Sequence, residues 1–109
     1  GWILTDKQPK HIIQRAIQLK EEHPENDMPV FKTKVNELMQ AANLNITNFA
    51  PAIGYNQGLL SQVMLGKEPV SDTLIQKLSN YSGIPEDEIR SWIVADKYSL
   101  EALRAALEA

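Results

Sequence analysis

The sequence contains no cysteine, which excludes disulfide bonds, thiolate metal sites and cysteine nucleophiles. Its two histidines, His11 and His23, lie far apart, and neither has a carboxylate or a second histidine at metal-ligand spacing. The five glycines are dispersed, so the sequence holds no phosphate-cradling glycine loop. Its apolar runs are too short to cross a bilayer. We therefore expect a cytoplasmic protein that is not an enzyme, does not span a membrane and uses no cofactor or metal.

The composition that remains is typical of one folded domain. The chain has 109 residues, of which 43% are hydrophobic and 23% are charged. Its net charge of −3 does not favour binding to polyanions, because lysine and arginine supply most of that affinity. The charge is unevenly spread: residues 31–70 carry three basic and two acidic groups, whereas 71–109 carry four and seven. The middle of the chain is thus its least acidic part.

Hydrophobic residues recur at spacings of three and four along most of the chain, and no segment alternates in the manner of a strand. The pattern predicts an all-α protein. We expect an N-terminal helix with its linker in residues 1–30, a domain of five helices in 31–95, and a C-terminal helix in 96–109. His23 to Pro29, with two prolines, is the predicted linker.

Polar and glycine residues mark where these helices begin and end. Asp6, Asn56, Ser71 and Ser99 are suited to cap helix starts. Helices are expected to end at Asn43, Gly54, Gly66 and Gly83. The order Gly83-Ile84 predicts a Schellman motif, in which Ile84 packs back on its helix. Pro51 lies inside the predicted helix 45–53 and removes one backbone hydrogen bond there, which predicts a kink.

The most informative stretch runs from Leu44 to Lys67. It contains Phe49-Ala50, then Gly54, then Leu60-Ser61, then Gly66-Lys67. Ala50 is small enough for two short helices to cross closely, and Gly54 suits the turn between them. These motifs resemble those of the Cro and phage-repressor type of helix-turn-helix family, and the resemblance covers about half of the chain.

The resemblance implies a repressor-like five-helix fold in which a recognition helix, about 56–65, enters the major groove of double-stranded DNA. It also implies a homodimer that regulates transcription. Carried over by position, the base-contacting residues are Gln57, Gly58, Leu59, Ser61 and Gln62. The phosphate-contacting residues are Thr47, Asn56 and Lys67. Gln57 or Gln62 could pair with adenine, and Leu59 could touch a thymine methyl group.

Two questions stay open at the level of sequence. The predicted recognition helix carries no lysine or arginine, and Leu59, Met64 and Leu65 are expected on its surface, which also suits a protein-interaction module that has lost DNA binding. The apolar stripe of the C-terminal helix, Leu100, Leu103 and Leu107, is either a lid on the core or the seam of a homodimer.

Overall fold

A computed structural model describes residues 9–22 and 29–108. These residues form α-helices and connecting turns, without a strand in either range, so the all-α class is confirmed. The helices are α1 (Lys10–Glu22), α2 (Val30–Ala41), α3 (Ile46–Ile53), α4 (Gln57–Met64), α5 (Asp72–Ser82), α6 (Glu86–Lys97) and α7 (Leu100–Glu108). The predicted cap Asp6 and the linker positions 23–28 lie outside the described residues. Within them, no helix is both long and apolar enough to cross a membrane.

The starts of four helices are capped by side chains. Asn45, Asn56 and Ser71 have extended backbones, and the side-chain oxygen of each accepts a hydrogen bond from the N–H three residues ahead. Ser99 caps α7 in the same way, with Ala102 as the donor. A capping side chain satisfies one of the N–H groups that the first helical turn leaves without a partner. The predicted caps Asn56, Ser71 and Ser99 are confirmed.

Most of the described helix ends use a left-handed residue. Asn43, Gly54 and Gly66 have φ of 57°, 77° and 79°. At each of them, the N–H of the left-handed residue and the N–H of the next residue donate the pair of backbone hydrogen bonds that defines a Schellman motif.

Gly83 also has a positive φ, of 77°, but the predicted Schellman motif is not formed there. The Gly83 N–H donates to the Ser79 carbonyl, which is the simpler left-handed ending. The serine side chains replace the missing bond: Ser82 Oγ accepts from the Ile84 N–H, and Ser79 Oγ donates to the Ile84 carbonyl. The serine hydroxyls thus occupy the hydrogen-bonding groups of Ile84, one of which would have made the second backbone bond of a Schellman motif.

The helices group into two compact units. The first unit combines the described residues of 1–31 with residues 87–108, and the second is 32–86. In the first unit α1 packs against α7, and Phe31 lies against Trp92 with ring centroids 6.4 Å apart. Trp92 is buried, as predicted. Leu103 of the apolar stripe is fully buried within the chain itself, whereas Leu100 and Leu107 are half-buried.

The second unit has its own hydrophobic core, in which α3 packs against both α4 and α5. Phe49 is fully buried, and its ring meets the edge of Tyr81 at a centroid distance of 5.4 Å. The other buried side chains of this unit are Val35, Met39, Ala50, Ile53, Leu60, Val63, Met64, Leu74, Ile75 and Leu78. This core fixes α4, which carries the predicted base-contacting residues.

Candidate nucleic-acid interface

Helix α3 is held by an apolar face and continues through its proline. Phe49, Ala50 and Ile53 are buried, at the one, three and four spacing of an amphipathic helix. Pro51 lies inside the helix and has no N–H to donate to the Thr47 carbonyl. The helix nevertheless runs on to Ile53, because its ending is secured by hydrogen bonds to other carbonyls.

A short turn at Gly54 joins α3 to α4. Gly54 adopts φ 77°, and its N–H donates to the Pro51 carbonyl at 3.1 Å. The next N–H, of Tyr55, donates to the carbonyl of Ala50 at 2.9 Å. Because glycine has no Cβ, it adopts this left-handed conformation without the steric cost that other residues meet. Asn56 follows at once and caps α4, so the connection between the two helices is as short as the sequence predicts.

Helix α4 divides into a buried side and an exposed side. Leu60, Val63 and Met64 are buried in the second unit. The opposite side bears the predicted base-contacting residues: Gln57, Gly58, Leu59 and Gln62 are exposed, and Ser61 is half-exposed. The structure therefore brings all five together on one helix.

The expected exposure of Met64 is wrong. Met64 lies four residues after Leu60, and residues four apart in a helix share a face. Both side chains are buried. The exposed hydrophobic residues around α4 are Leu59, with 49% of its surface accessible, and Leu65, with 62%.

The Asn56 side chain already has a structural role. Its Oδ1 accepts a hydrogen bond from the Leu59 N–H at 3.0 Å. The same oxygen lies 3.2 Å from the position that a Cβ would take at Gly58. The amide –NH₂ of Asn56 can still donate to a ligand, because the residue is exposed.

The other two predicted phosphate-contacting residues flank α4 along the chain. Thr47 is exposed on the first turn of α3. Lys67 is exposed directly after the left-handed Gly66, beyond the end of α4. Both side chains are therefore accessible to a ligand.

Lys77 is a cation near this site that the sequence did not indicate. It belongs to α5, and its Nζ lies 3.6 Å from the position that a Cβ would take at Gly54. A cation close to the end of α3 is favourable, because the carbonyl groups there carry partial negative charge. The contact joins residues 23 positions apart in the sequence, and no local pattern could have revealed it.

The lysines of the second unit differ from the cations of the first in their surroundings. In the first unit, His11, Arg15 and Arg104 lie within ion-pair distance of carboxylates. Within the described residues, no ion pair is found for the four lysines of 32–86, which are Lys32, Lys34, Lys67 and Lys77. Residues 32–86 also hold four acidic groups, so the unit is neutral overall.

The ionisable groups with shifted pKa values among the described residues lie in the first unit. No group of three or more histidine, aspartate or glutamate side chains in the described ranges could hold a metal ion. His11 Nε2 lies 2.9 Å from Asp87 Oδ2 in an exposed ion pair of the first unit. The resolved pKa shifts belong to Arg15 and Asp96, which are also in the first unit.

The fold places the chain among all-helical proteins. The chain matches no protein-family model, and no curated protein or solved structure is significantly similar to it.

Proposed function

We propose that α3 and α4 form a helix-turn-helix of the Cro and phage-repressor type, and that the chain is a sequence-specific, DNA-binding transcriptional regulator of the cytoplasm. The observation that carries the proposal is the exposed side of α4. Gln57 and Leu59 lie exposed on its first turn and Gln62 on its second, while the opposite side is buried. The major groove of B-DNA is wide enough to admit such a helix.

The surroundings of α4 support the same function. Asn56 caps the start of α4 through a hydrogen bond and Gly54 ends α3 two residues before it, so the first turn of α4 presents its side chains in an ordered way. Lys67 and Lys77 have no ion-pair partner among the described residues and can therefore contact phosphates without first breaking a salt bridge. Because two lysines give limited electrostatic affinity, binding as a homodimer is expected, with recognition helices about 34 Å apart.

The test is selection of bound duplexes from a random library at low salt, using the whole chain. We expect a palindromic site, because a twofold-symmetric dimer reads two half-sites. Replacing Gln57 and Gln62 with alanine should remove the preference for that site while the helical circular dichroism is unchanged. Gln40→Ala is a matched control, since Gln40 is exposed on α2 and outside the proposed interface. A folded protein that enriches no sequence would contradict the proposal.

A second candidate function is a protein-interaction module with the same helices. It is favoured by the exposure of Leu59 and Leu65 and by the zero net charge of 32–86. A partner that binds this surface should lose affinity when both leucines are replaced with aspartate. The two functions are distinguished by salt, because phosphate contacts weaken steeply as salt rises and apolar contacts do not.

A further inference from the structure

The exposed side of α4 offers only uncharged groups. Gln57 and Gln62 present primary amides, Ser61 a hydroxyl and Leu59 a branched alkyl group. Arginine, lysine, aspartate and glutamate are all missing from Gln57–Met64. A helix with this set of side chains can make some base contacts well and others hardly at all.

The edges of the bases decide which contacts these are. Glutamine pairs with the N6 and N7 atoms of adenine, and an apolar side chain packs on the methyl group of thymine. Guanine is read chiefly by arginine or lysine, and the N4 amine of cytosine by a carboxylate. We infer that α4 reads A·T base pairs through the major groove, with Gln57 and Gln62 on adenines and Leu59 against a thymine methyl group. This inference rests on the proposed DNA-binding function.

Local structure assigns adenine to the glutamines and not to Asn56. A bidentate contact to adenine needs the amide oxygen and nitrogen together at the edge of the base, whereas the bond from the Leu59 N–H holds Asn56 Oδ1 against the first turn of α4. Gln57 and Gln62 lie five residues apart, or about 7.5 Å along the helix at about 1.5 Å per residue. This exceeds the spacing of about 3.4 Å between neighbouring bases. The two amides are therefore far enough apart to contact different base pairs.

Gly58 lies between two of the proposed contacts and adds no side chain. A Cβ at this position would come within 3.2 Å of Asn56 Oδ1, so the bare backbone also protects the cap. Glycine lets the backbone between Gln57 and Leu59 approach the floor of the groove closely. The first turn of α4 thus offers the bases one amide, from Gln57, and one alkyl group, from Leu59.

The experiment uses the whole chain and the site selected from a random duplex library. Each A·T pair of the half-site is replaced in turn by inosine·cytosine, which presents the major-groove edge of G·C but lacks the minor-groove amine of guanine. If glutamine reads adenine, inosine·cytosine at two positions should weaken binding as much as G·C does, by about 5-fold to 150-fold. If DNA shape or the minor groove sets the preference, inosine·cytosine should bind like A·T, and the inference would be overturned.

A second measurement examines Leu59. Replacing each thymine in turn with deoxyuridine removes only the methyl group, and at one position this should weaken binding about fourfold. Leu59→Ala should abolish the difference between thymine and deoxyuridine there. Leu65→Ala is the matched control and should preserve the difference, because Leu65 is exposed beyond the end of α4.

The possible results distinguish a failure of the A·T inference from a failure of the proposed DNA-binding function. A selected palindrome with G·C pairs at the positions sensitive to Gln57 and Gln62 would overturn the A·T inference and leave DNA binding intact. The same holds for a site in which no thymine responds to deoxyuridine. A folded protein that selects no DNA would overturn both. The inosine and deoxyuridine replacements are made in the DNA, so their effects on binding by the wild type do not depend on whether a protein variant folds.

Discussion

Asn56 Oδ1 accepts a hydrogen bond from the Leu59 N–H at 3.0 Å and thereby starts α4. The helix contains only eight residues, Gln57–Met64, which is short for a helix that must hold its shape. Its first turn also carries Gln57 and Leu59 on the exposed side. The cap on the first turn and the buried face of α4 therefore fix the geometry of the proposed interface together.

Asn56→Ala should lower the free energy of unfolding by about 1 kcal/mol, because an orphan N–H of α4 loses its acceptor. Urea unfolding followed by circular dichroism measures the change. Asn56→Asp keeps a capping oxygen and should retain most of the stability, while its charge should weaken DNA binding through repulsion of phosphates. Equal stability of the wild type and the alanine variant would show that the cap does not support α4.

Gly54→Ala should be destabilising by about 1 kcal/mol, because a Cβ is unfavourable at φ 77°. The neighbouring Lys77 Nζ, at 3.6 Å from the Cβ position, is at ordinary contact distance, so the cost lies in the backbone. Gly54→Asn is the matched variant, since asparagine already adopts φ 57° at Asn43 in this chain. Thermal unfolding should rank the wild type first, asparagine second and alanine last; alanine above asparagine would contradict this argument.

The boundaries of the helices could be predicted because their signals are local. Asn56 and Ser71 reach N–H groups only three residues ahead, and Gly54 acts on the four residues before it. Each such signal is contained in a few consecutive letters of the sequence. Gly83 shows the limit of this reasoning, since Ser79 and Ser82 replace the expected backbone bond with hydroxyl contacts.

Features that need the tertiary fold were missed. Lys77 reaches the Gly54 turn from another helix, and Asp96 accepts hydrogen bonds from the start of α2, which is 65 and 66 residues earlier in the chain. The burial of Met64 did not need the tertiary fold. Its spacing of four residues from Leu60 already predicts burial, because residues four apart in a helix share a face. The roles of Gln57 and Gln62 stay predictions.

The ion pair Arg15–Glu88 of the first unit is supported by several hydrogen bonds. Arg15 Nε donates to both carboxylate oxygens of Glu88, at 2.9 and 3.1 Å, and Trp92 Nε1 donates to Oε2 at 3.1 Å. The hydrogen bond to Glu88 raises the pKa of Arg15, and burial opposes this effect. Both side chains keep some solvent exposure, 34% and 27%, which screens their attraction.

Arg15→Met should therefore cost about 1 kcal/mol of stability at low salt, and less at high salt. Arg15→Lys is the charge-matched control; it should recover only part of the loss, because an ammonium cannot reproduce the planar guanidinium geometry. Urea unfolding at two salt concentrations measures both effects. Full recovery by lysine would mean that charge alone matters at this position.

Asp96 provides a prediction about pH. Asp96 is exposed as a residue, but its carboxyl group is partly buried against the start of α2, and this burial raises its pKa. Hydrogen bonds from the Phe31 and Val30 N–H groups and the charge of Lys20 lower the pKa, and the net shift is upward. The folded state thus binds a proton more readily than the unfolded state does. Stability from this group is then greatest at low pH and is lost as the pH rises from the ordinary aspartate pKa through the raised one.

Comparison with Asp96→Asn reveals this contribution, because asparagine keeps an acceptor oxygen and does not titrate. The free energy of unfolding of the wild type relative to Asp96→Asn should fall as the pH rises through that window. Asp96→Ala should be less stable than Asp96→Asn by about 1 kcal/mol at every pH, because neither variant titrates at this position and alanine leaves both N–H groups without their acceptor. If the free energy of unfolding of the wild type relative to Asp96→Asn instead grows as the pH rises, the pKa of Asp96 is lowered in the folded state and the prediction is wrong.

Lys67 and Lys77 allow the electrostatic part of the proposed function to be measured. Each phosphate contact contributes about −0.9 to the slope of log K against log salt for B-DNA. Lys67→Gln should reduce the magnitude of that slope by about one for each protomer and weaken binding to specific and random duplexes alike.

Lys77→Gln should do the same if its Nζ reaches a phosphate beside the Gly54 turn. If Lys77 only neutralises the end of α3, its loss should lower thermal stability and leave the slope unchanged. Lys97→Gln is the control, since Lys97 is exposed in the first unit and should change neither quantity.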